Sequence, residues 1–323
     1  MSEHVVVGVD VGGTKILSLA VAIDPDNGAY TVLDEHVAST PDTAEGLIAA
    51  IINGVGQVAG ERRPVAVGVG VPGFIDRSGV ARQAPNLKAA VGVDVAAALR
   101  ERLGVAVRVD NDANCAAWAS YRLDAPEMDT VVAITLGTGI GGGIVVDGKL
   151  VRGANGFAGE PGHMVVDPAG PLCVCGQRGC WEMWASGKGF GRIAQLAAIA
   201  GELPLIVERA ATLDAVTGHT VTAALRSEDP SVAAEASLVL ERYAGWVAVG
   251  VVNLVNLLDP GCVIFSGGIV AEGDELIERI RTAVASYPTM AGGRTPDLRI
   301  SAVGPRAGAV GAGLLAGEDM AAR

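Results

Sequence analysis

Three cysteines and one histidine in the middle of the chain have the composition of a metal site. The four residues are His163, Cys173, Cys175 and Cys180. Three thiolates and one imidazole form a donor set that suits tetrahedral Zn²⁺. Four protein ligands would complete the zinc shell, so we expect a structural ion and not a Lewis acid. The alternative is a group of buried free thiols, which is what we expect for the isolated Cys115 and Cys262.

Three glycine-rich turns follow short apolar strands and could bind the phosphates of a nucleotide. They are Gly12-Gly13, Gly137 to Gly143, and Gly267-Gly268. A phosphate reaches backbone N–H groups most closely where no Cβ intervenes, and Thr14, Lys15 and Thr138 add side-chain donors. Asp10, at the end of the first strand, could hold a water bound to Mg²⁺. One such turn is usually structural, but three of them, two carrying a threonine, favour nucleotide binding.

Carboxylates follow another strand in the segment from Val109 to Asn114. Ligands of open α/β sheets bind at the carboxyl ends of the strands, so an aspartate here could act as a general base. Asp110 and Asp112 are the two candidates. The alternative is that Asn111 or Asp112 only caps the helix that we expect to start near Ala113.

A second polar cluster is expected beside the zinc site. Glu160 lies three residues before His163, and Glu182 lies two residues after Cys180. Zinc would therefore hold these side chains near one point, and two carboxylates beside an imidazole suit a ligand rich in hydroxyl groups. Taken singly, each glutamate is more often a surface residue. Three further histidines lack such neighbours and are expected at the surface or in linkers: His4, His36 and His219.

The elements that must position these residues alternate between strands and helices. The chain opens with a strand from His4 to Asp10, a glycine-rich turn, and a second apolar run from Ile16 to Ile23. This pattern predicts a hairpin, whereas a Walker A loop and a dinucleotide fingerprint both open a helix. A similar unit recurs from Thr130 to Val146, so we expect two lobes built on one plan. Strands alternating with helices predict an α/β fold.

Composition and charge narrow the function classes. The 323 residues include 24 Lys and Arg and 36 Asp and Glu, which gives a formal charge of −12, and half of the residues are hydrophobic. That is enough for a large core in about two domains. An acidic chain without a basic stripe argues against nucleic acid and anionic membranes as partners. The run from Trp246 to Leu258 is too short for a membrane helix, and no signal peptide is recognised, so we expect a cytoplasmic protein.

Together these motifs resemble the ROK family of sugar kinases and repressors, and its bacterial glucokinases in particular. The resemblance covers essentially the whole chain. Its motifs are Asp10-Val-Gly-Gly-Thr-Lys15, Val71-Pro-Gly-Phe74, Ala84-Pro-Asn-Leu87, Asn111-Asp-Ala-Asn114, Thr135-Leu-Gly-Thr-Gly-Ile-Gly-Gly-Gly143, Gly159-Glu-Pro-Gly-His163 and Cys173-Val-Cys-Gly-Gln-Arg-Gly-Cys-Trp-Glu182. The last motif is highly specific, whereas the glycine motifs are shared by the wider hexokinase, actin and heat-shock superfamily.

The resemblance implies a two-lobed fold of duplicated ribonuclease-H-like α/β units, as in actin and hexokinase, with the active site in the cleft. It implies a small lobe of residues 1–112 and approximately 301–323, and a large lobe of residues 113–300 with the zinc motif and the adenosine side. It also implies ATP and Mg²⁺ as cofactors beside the structural Zn²⁺. The expected assembly is a homodimer or a homotetramer.

The resemblance also implies roles for single residues, with Asp112 as the catalytic base on the 6-hydroxyl of the sugar. The expected sugar-binding residues are Gly73, Asn86, Asn111, Asp112, Glu160, His163 and Glu182. The expected contacts to ATP and Mg²⁺ are Asp10, Gly12, Gly13, Thr14, Lys15, Thr138 and Gly139, with Gly267 and Gly268 near the adenosine. His163 is expected to contact sugar and zinc through different ring nitrogens.

The implied activity is ATP-dependent phosphorylation of a hexose, with D-glucose as the first candidate. Fructose, mannose, allose, N-acetylmannosamine and N-acetylglucosamine stay open as acceptors, because the expected residues bind hydroxyls that these sugars share. Polyphosphate stays open as the donor. A sugar-responsive repressor is the alternative from another class. It is disfavoured because repressors of the family carry a DNA-binding module ahead of the first strand, which begins here at about residue 4.

Overall fold

The first part of the chain folds into a five-stranded sheet that starts with the expected hairpin. A computed structural model describes residues 4–24, 29–84, 87–270, 274–288 and 294–321. Its first elements are β1 (His4–Val11), β2 (Lys15–Ile23), β3 (Tyr30–Ser39), α1 (Ala44–Ala59), β4 (Ala66–Val71), β5 (Phe74–Ile75), β6 (Ala81–Gln83), α2 (Val95–Leu103), β7 (Ala106–Asn111) and α3 (Asp112–Asp124). The strand order is β3-β2-β1-β4-β7, with β1 antiparallel to β2 and parallel to β4. The predicted hairpin is therefore confirmed.

The rest of the chain adds a second sheet and most of the helices. The elements are β8 (Thr130–Leu136), β9 (Ile140–Val146), β10 (Lys149–Leu150), α4 (Glu182–Ala185), α5 (Gly187–Ile199), α6 (Pro204–Ala210), α7 (Gly218–Leu225), α8 (Pro230–Leu258), β11 (Cys262–Ser266), α9 (Asp274–Ser286), β12 (Asp297–Ile300) and α10 (Ala307–Ala321). The second sheet has the order β10-β9-β8-β11-β12.

The two five-stranded sheets follow the same plan. When the strands of each sheet are numbered along the chain, both have the order third, second, first, fourth, fifth, and β5 and β6 form a separate ribbon. In both sheets the first and second strands are joined by one of the glycine-rich turns. The expected α/β fold of duplicated units is confirmed.

Helix α10 lies directly on the first sheet because two strand glycines leave room for it. A Cβ on Gly8 of β1 would lie 1.8 Å from the carbonyl oxygen of Ala309, and one on Gly68 of β4 would lie 1.8 Å from that of Ala312. Valines of β1 and β4 are fully buried beside these glycines. The close approach therefore fixes the sheet that carries Asp10 on β1 and the residues from Val109 to Asn111 on β7.

Helix α8 is the long core helix of the second part. Its 29 residues would be long and apolar enough to cross a membrane, but 61% of its most apolar window is buried inside the protein. Gly250 admits the ring of Trp181, since a Cβ there would lie 2.0 Å from Cε2 of the indole. The Nε1 of Trp181 donates to the carbonyl oxygen of Trp246 at 2.8 Å. The helix thus anchors the residue that lies between Cys180 and Glu182.

The chain forms two compact units. The first unit comprises Met1–Ala133, Gly142–Gly159 and Ser301–Arg323, and the second comprises Ile134–Gly141 and Glu160–Ile300. Helix α3 belongs to the first unit, whereas from the sequence we expect the large lobe to begin at residue 113. Helix α3 packs closely on α10, since a Cβ on Gly311 of α10 would lie 1.7 Å from the carbonyl oxygen of Cys115.

Candidate active site and zinc centre

Two carboxylates of the first unit lie close enough to influence each other. Asp10 is near the end of β1, and Asp112 is the first residue of α3. Burial, together with the negative charge of Asp112, raises the pKa of Asp10 to about 6. Burial also raises the pKa of Asp112. Two partly buried carboxylates that repel each other form a site that a cation would stabilise.

Asn111, and not Asp112, caps helix α3. The Oδ1 of Asn111 accepts from the backbone N–H of Asn114 at 2.9 Å, and its Nδ2 donates to the carbonyl oxygen of Gly73 at 2.9 Å. Asp112 accepts from the adjacent N–H of Ala113 through Oδ1, at 2.8 Å, and does not accept from the N–H of Asn114 that the cap requires. Capping therefore accounts for Asn111 and leaves Asp112 available for chemistry.

Asp110 is already engaged by neighbouring side chains. Its Oδ2 accepts from Nε of Arg152 at 2.7 Å and lies 3.5 Å from Nη2 of Arg108. Its Oδ1 accepts from the N–H of Asn111 at 3.0 Å and from Nδ2 of Asn114 at 3.2 Å. Only 8% of the side chain is exposed. A carboxylate with four such partners stabilises the end of β7 and is a poor candidate for a general base.

The turn between β1 and β2 presents open N–H groups. Gly12 donates to the carbonyl oxygen of Lys15 at 2.8 Å, and Thr40 donates through Oγ1 to the carbonyl oxygen of Gly12 at 2.7 Å. Gly13, Thr14 and Lys15 are exposed. Within the described residues, the N–H groups of Gly13 and Thr14 donate to no protein oxygen. These two groups and the ammonium of Lys15 can therefore bind an anion.

The corresponding turn of the second unit is tied to Glu182. Gly137 donates to the carbonyl oxygen of Gly139 at 3.0 Å, and Oε2 of Glu182 accepts from the N–H of Ile140 at 2.9 Å. A Cβ on Gly139 would lie 2.2 Å from that Oε2, so only glycine allows this contact. Thr138 is exposed at the tip of the turn. The hydrogen bond to Ile140 therefore holds the carboxylate of Glu182 against this turn.

A pocket of about 620 Å³ opens beside this turn in the second unit. Its lining includes Gly137, Thr138 and Gly268, as the sequence predicts for a nucleotide site. Helices α5 and α7 both begin at the pocket, and helix N-termini favour negative charge. The volume lies in the range of about 300–1,000 Å³ that is usual for small-molecule sites. Gly267 holds the adjoining turn at φ +99, where a Cβ would lie 2.4 Å from the carbonyl oxygen of Leu136.

Sequence reasoning missed part of this pocket. Lys188 and His219 line it; His219 is exposed, as expected, but its place in this pocket was not predicted. Both residues lie in the first turn of a helix, after the capping residues Ser186 and Thr217. The sequence signal that could have indicated Lys188 and His219 is a serine or threonine followed by glycine, which occurs at the start of both helices.

The four predicted zinc ligands meet in the second unit. One donor atom from each lies within 4.8 Å of all the others: His163, Cys173, Cys175 and Cys180. The Sγ atoms of Cys175 and Cys180 are 3.5 Å apart, and Nδ1 of His163 is 3.7 Å from Sγ of Cys173. With Zn–S bonds of about 2.3 Å, tetrahedral geometry requires donor separations of just this order. The donor set therefore fits a structural zinc ion.

A tight loop brings the ligands together. Gly179 has φ +65, and a Cβ there would lie 1.5 Å from the carbonyl oxygen of Asp167. Val165 and Cys180 pair in an isolated bridge, and Trp181 donates to the carbonyl oxygen of Met164 at 2.7 Å. Only glycine permits this approach of the two chain segments. The loop therefore determines where the zinc ligands and Glu182 lie.

Two predicted sugar-binding residues of the second unit flank the zinc ligands in the sequence: Glu160 precedes them and Glu182 follows them. Glu160 precedes a short 3-10 helix, Pro161–His163, and its carbonyl oxygen accepts from the N–H of His163 at 3.1 Å. The Nδ1 of His163 faces Cys173, which leaves Nε2 for another ligand. Glu182 starts α4. The predicted residue Asn86 lies outside the described residues.

Comparison with known proteins gives a consistent result over the whole chain. The family model described as ROK family matches residues 6–319. A glucokinase of Streptomyces coelicolor is 36% identical over 325 residues, which cover 97% of each protein. The crystal structure of a ROK family glucokinase from Streptomyces griseus with glucose and AMPPNP has a TM-score of 0.77 at 35% identity and covers 97% of this chain and 99% of that one. A ROK hexokinase structure from Thermus thermophilus has a TM-score of 0.82 at 32% identity, with coverage of 99% and 100%.

Proposed function

Because the chain belongs to the ROK family, we propose that it transfers the terminal phosphoryl group of ATP to the 6-hydroxyl of D-glucose. The products are ADP and glucose 6-phosphate. The observation that carries the proposal is the similarity, over essentially the full length, to a glucokinase solved with glucose and AMPPNP. Three observations support it: Asp112 is not needed to cap α3, the N–H groups of Gly13 and Thr14 are open within the described residues, and the four predicted zinc donors meet.

Asp112 is the proposed general base. Asn111 supplies the helix cap and Asp110 is held by two arginines, so Asp112 is the carboxylate of this segment that can take up a proton. Burial raises its pKa, which makes it a better proton acceptor than an exposed aspartate. Phosphoryl transfer depends mainly on positioning and charge stabilisation, so a modest base suffices to accept the hydroxyl proton late in the reaction.

Glu160, His163 and Glu182 are the proposed sugar ligands in the second unit. Oε2 of Glu182 accepts from Ile140, so Oε1 is the oxygen that we assign to a sugar hydroxyl. His163 would bind zinc through Nδ1 and the sugar through Nε2. In the first unit, Asn111 keeps one hydrogen of Nδ2 for a hydroxyl after its bond to Gly73. Asn86 and the backbone near Gly73 remain proposed contacts from the family resemblance.

The glycine turns are the proposed phosphate ligands. Gly13, Thr14 and Lys15 offer N–H, hydroxyl and ammonium donors in the first unit, where Gly12 remains a proposed contact from the family resemblance. Thr138 and Gly139 are proposed to offer N–H and hydroxyl donors in the second unit. Gly267 and Gly268 adjoin the 620 Å³ pocket, which would take the adenosine. Asp10 would hold Mg²⁺ through its hydration shell, and the bound ion would neutralise charge that develops on the phosphates.

Assembly and compartment form a further part of the proposal. We expect a homodimer or a homotetramer, and a cytoplasmic enzyme. All five cysteines are free, which is consistent with a reducing compartment. The glucose and ATP partners follow from the proposed reaction, and no nucleic acid or membrane partner is expected from the acidic charge.

Glucose should be the preferred acceptor. We expect kcat/KM with MgATP to be higher for glucose than for fructose, mannose, allose, N-acetylmannosamine and N-acetylglucosamine. A tenfold advantage for another sugar corresponds to about 1.4 kcal/mol of transition-state binding and would show that glucose is the wrong substrate, while the kinase activity would stand. Repeating the glucose assay with polyphosphate in place of ATP tests the donor in the same experiment.

Gly139→Ala should weaken glucose binding through Glu182. The added Cβ would lie 2.2 Å from Oε2, so the carboxylate must leave the N–H of Ile140. We expect the glucose Kd, measured by tryptophan fluorescence without nucleotide, to rise about tenfold, since a hydrogen bond to a charged group contributes about 1.5–3 kcal/mol. Gly137→Ala is the matched control, because the nearest atom to its Cβ is 3.9 Å away. Equal Kd values for the two variants would contradict the assignment of Glu182.

A further inference from the structure

Four arginines line a second pocket of the first unit. The pocket has a volume of about 420 Å³, and its arginines are Arg77, Arg100, Arg108 and Arg152. It runs beside β7, the edge strand of the first sheet, between the turn that contains Asp76 and helix α2. None of the residues that we assign to sugar, nucleotide or zinc lines it among the described residues. It is therefore a separate candidate for ligand binding.

The charge of this pocket is positive although the chain carries −12 overall. Two carboxylates, Asp76 and Asp110, also line it. Asp76 is paired with Arg82 at 2.6 Å, a residue outside the lining, and Asp110 is shared between Arg152 and Arg108. Arg77 and Arg100 have no carboxylate partner among the described residues. Their positive charge favours an anionic ligand.

Within the residues that the structure describes, guanidinium nitrogens of Arg77, Arg100 and Arg152 lack a protein acceptor. Nη2 of Arg152 is buried and makes no hydrogen bond within the described residues. Such buried donors are rare in folded proteins, because leaving one unpaired costs free energy. Arg77 donates through both Nε and Nη2 to the carbonyl oxygen of Gly153, at 2.9 Å and 2.5 Å, and Arg100 donates through Nε to that of Ala96 at 3.1 Å. These bonds fix the two side chains and leave Nη1 of Arg77 and the Nη atoms of Arg100 for a ligand.

We propose that this arginine pocket binds a small phosphate-bearing anion. Arginine forks bind phosphate through paired N–H groups, and several of them around one cavity suit a phosphate dianion. The rest of the described lining is polar or aliphatic, with Ile75, Val107 and Val109, and none of its residues is an aromatic on which a nucleobase could stack. The ligand class is therefore inorganic phosphate or the phosphate ester of a small polar molecule such as a sugar, and not a nucleotide.

Phosphate binding to arginine variants tests this proposal. Inorganic phosphate is titrated calorimetrically at constant ionic strength into the full-length protein, with saturating AMPPNP and glucose present to occupy the proposed active site. We expect saturable binding that weakens at least about tenfold in Arg100→Gln and in Arg77→Gln, because each removes a charged donor. Arg102→Gln is the matched control, since Arg102 lies on the same helix, is exposed and does not line the pocket. It should bind phosphate as the wild type does.

Repeating the titration with glucose 6-phosphate instead of inorganic phosphate shows whether the pocket binds a phosphorylated sugar or free phosphate. Tighter binding of the ester assigns the site to a phosphorylated sugar, and equal or weaker binding assigns it to free phosphate. Equal phosphate affinity in the wild type, Arg100→Gln and Arg77→Gln would overturn the proposal, as would no saturable binding by the wild type at about 10 mM. Kinase activity should be retained in both variants, so failure of this site is distinct from failure of the proposed activity.

Discussion

Asp112→Asn should lower kcat by about 10²–10⁴, the usual effect of removing a positioned general base. Asparagine has nearly the shape of aspartate but cannot accept the proton of the sugar hydroxyl. The helix should keep its cap, because Asn111 and not Asp112 accepts from the N–H of Asn114. The folded-state pKa of Asp112 is raised, so its ionisation opposes folding at neutral pH, and the variant should melt at the wild-type temperature or slightly above it. Steady-state kinetics and a thermal melt measure both effects.

Asp110→Asn is the control that separates catalysis from structure. Asp110 is bound by Arg152 at 2.7 Å and by Asn114 and Asn111, so its loss of charge should lower the melting temperature. We expect a much smaller fall in kcat than for Asp112→Asn. Retention of more than about a tenth of wild-type kcat by Asp112→Asn would reject Asp112 as the base, since a base contributes at least about 10².

Cys175→Ala should release zinc and weaken both the fold and sugar binding. The four donors of the zinc site lie between Glu160 and Glu182 in the sequence, so we expect loss of one thiolate to loosen the loop that carries both glutamates. Metal binding is coupled to folding, and the variant should therefore melt at a lower temperature. We expect wild-type protein to carry one zinc per chain by elemental analysis. The variant should carry far less and show a rise of about tenfold, or 1.4 kcal/mol, in the KM for glucose.

Val174→Ala is the matched control for the zinc prediction. Val174 is the neighbour of Cys175, is 90% exposed and offers no metal ligand, so the change should leave zinc content and KM as they are. Cys175 is also exposed, so its replacement by alanine opens no cavity in the core. Full activity and stability in zinc-free wild-type protein would show that the ion has no structural role.

Features determined by local sequence were predictable. The hairpin of β1 and β2 follows from apolar runs on both sides of a glycine turn, and the repeat of this pattern at β8 and β9 predicts the second sheet. The zinc ligands were predictable because donor type and close spacing restrict a metal site strongly. In each case neighbouring residues in the sequence determine the structure, so no distant contact had to be known.

Features that depend on distant contacts were not predictable. The sequence left the cap of α3 open between Asn111 and Asp112, and backbone geometry decides it, because Asn111 adopts the extended conformation of a cap. The residues alone left Asp110 as the rival of Asp112, and the structural argument against Asp110 needs its partner Arg152, which lies 42 residues away. The place of His219 in the pocket depends on where α7 begins relative to the glycine turn. Long-range packing determines the last two features, and it adds the bond from Nδ2 of Asn111 to Gly73 to the first.

The most direct test of the proposed function identifies the product of the reaction with glucose and MgATP. Proton-detected ³¹P NMR of the mixture shows which sugar carbon carries the phosphate, and the nucleotide signals give the amount of ADP formed. We predict glucose 6-phosphate and ADP in equal amounts, with neither formed at a comparable rate by Asp112→Asn. ADP and inorganic phosphate without a sugar phosphate, or a phosphate on another carbon, would contradict the transfer to the 6-hydroxyl that the proposed site performs.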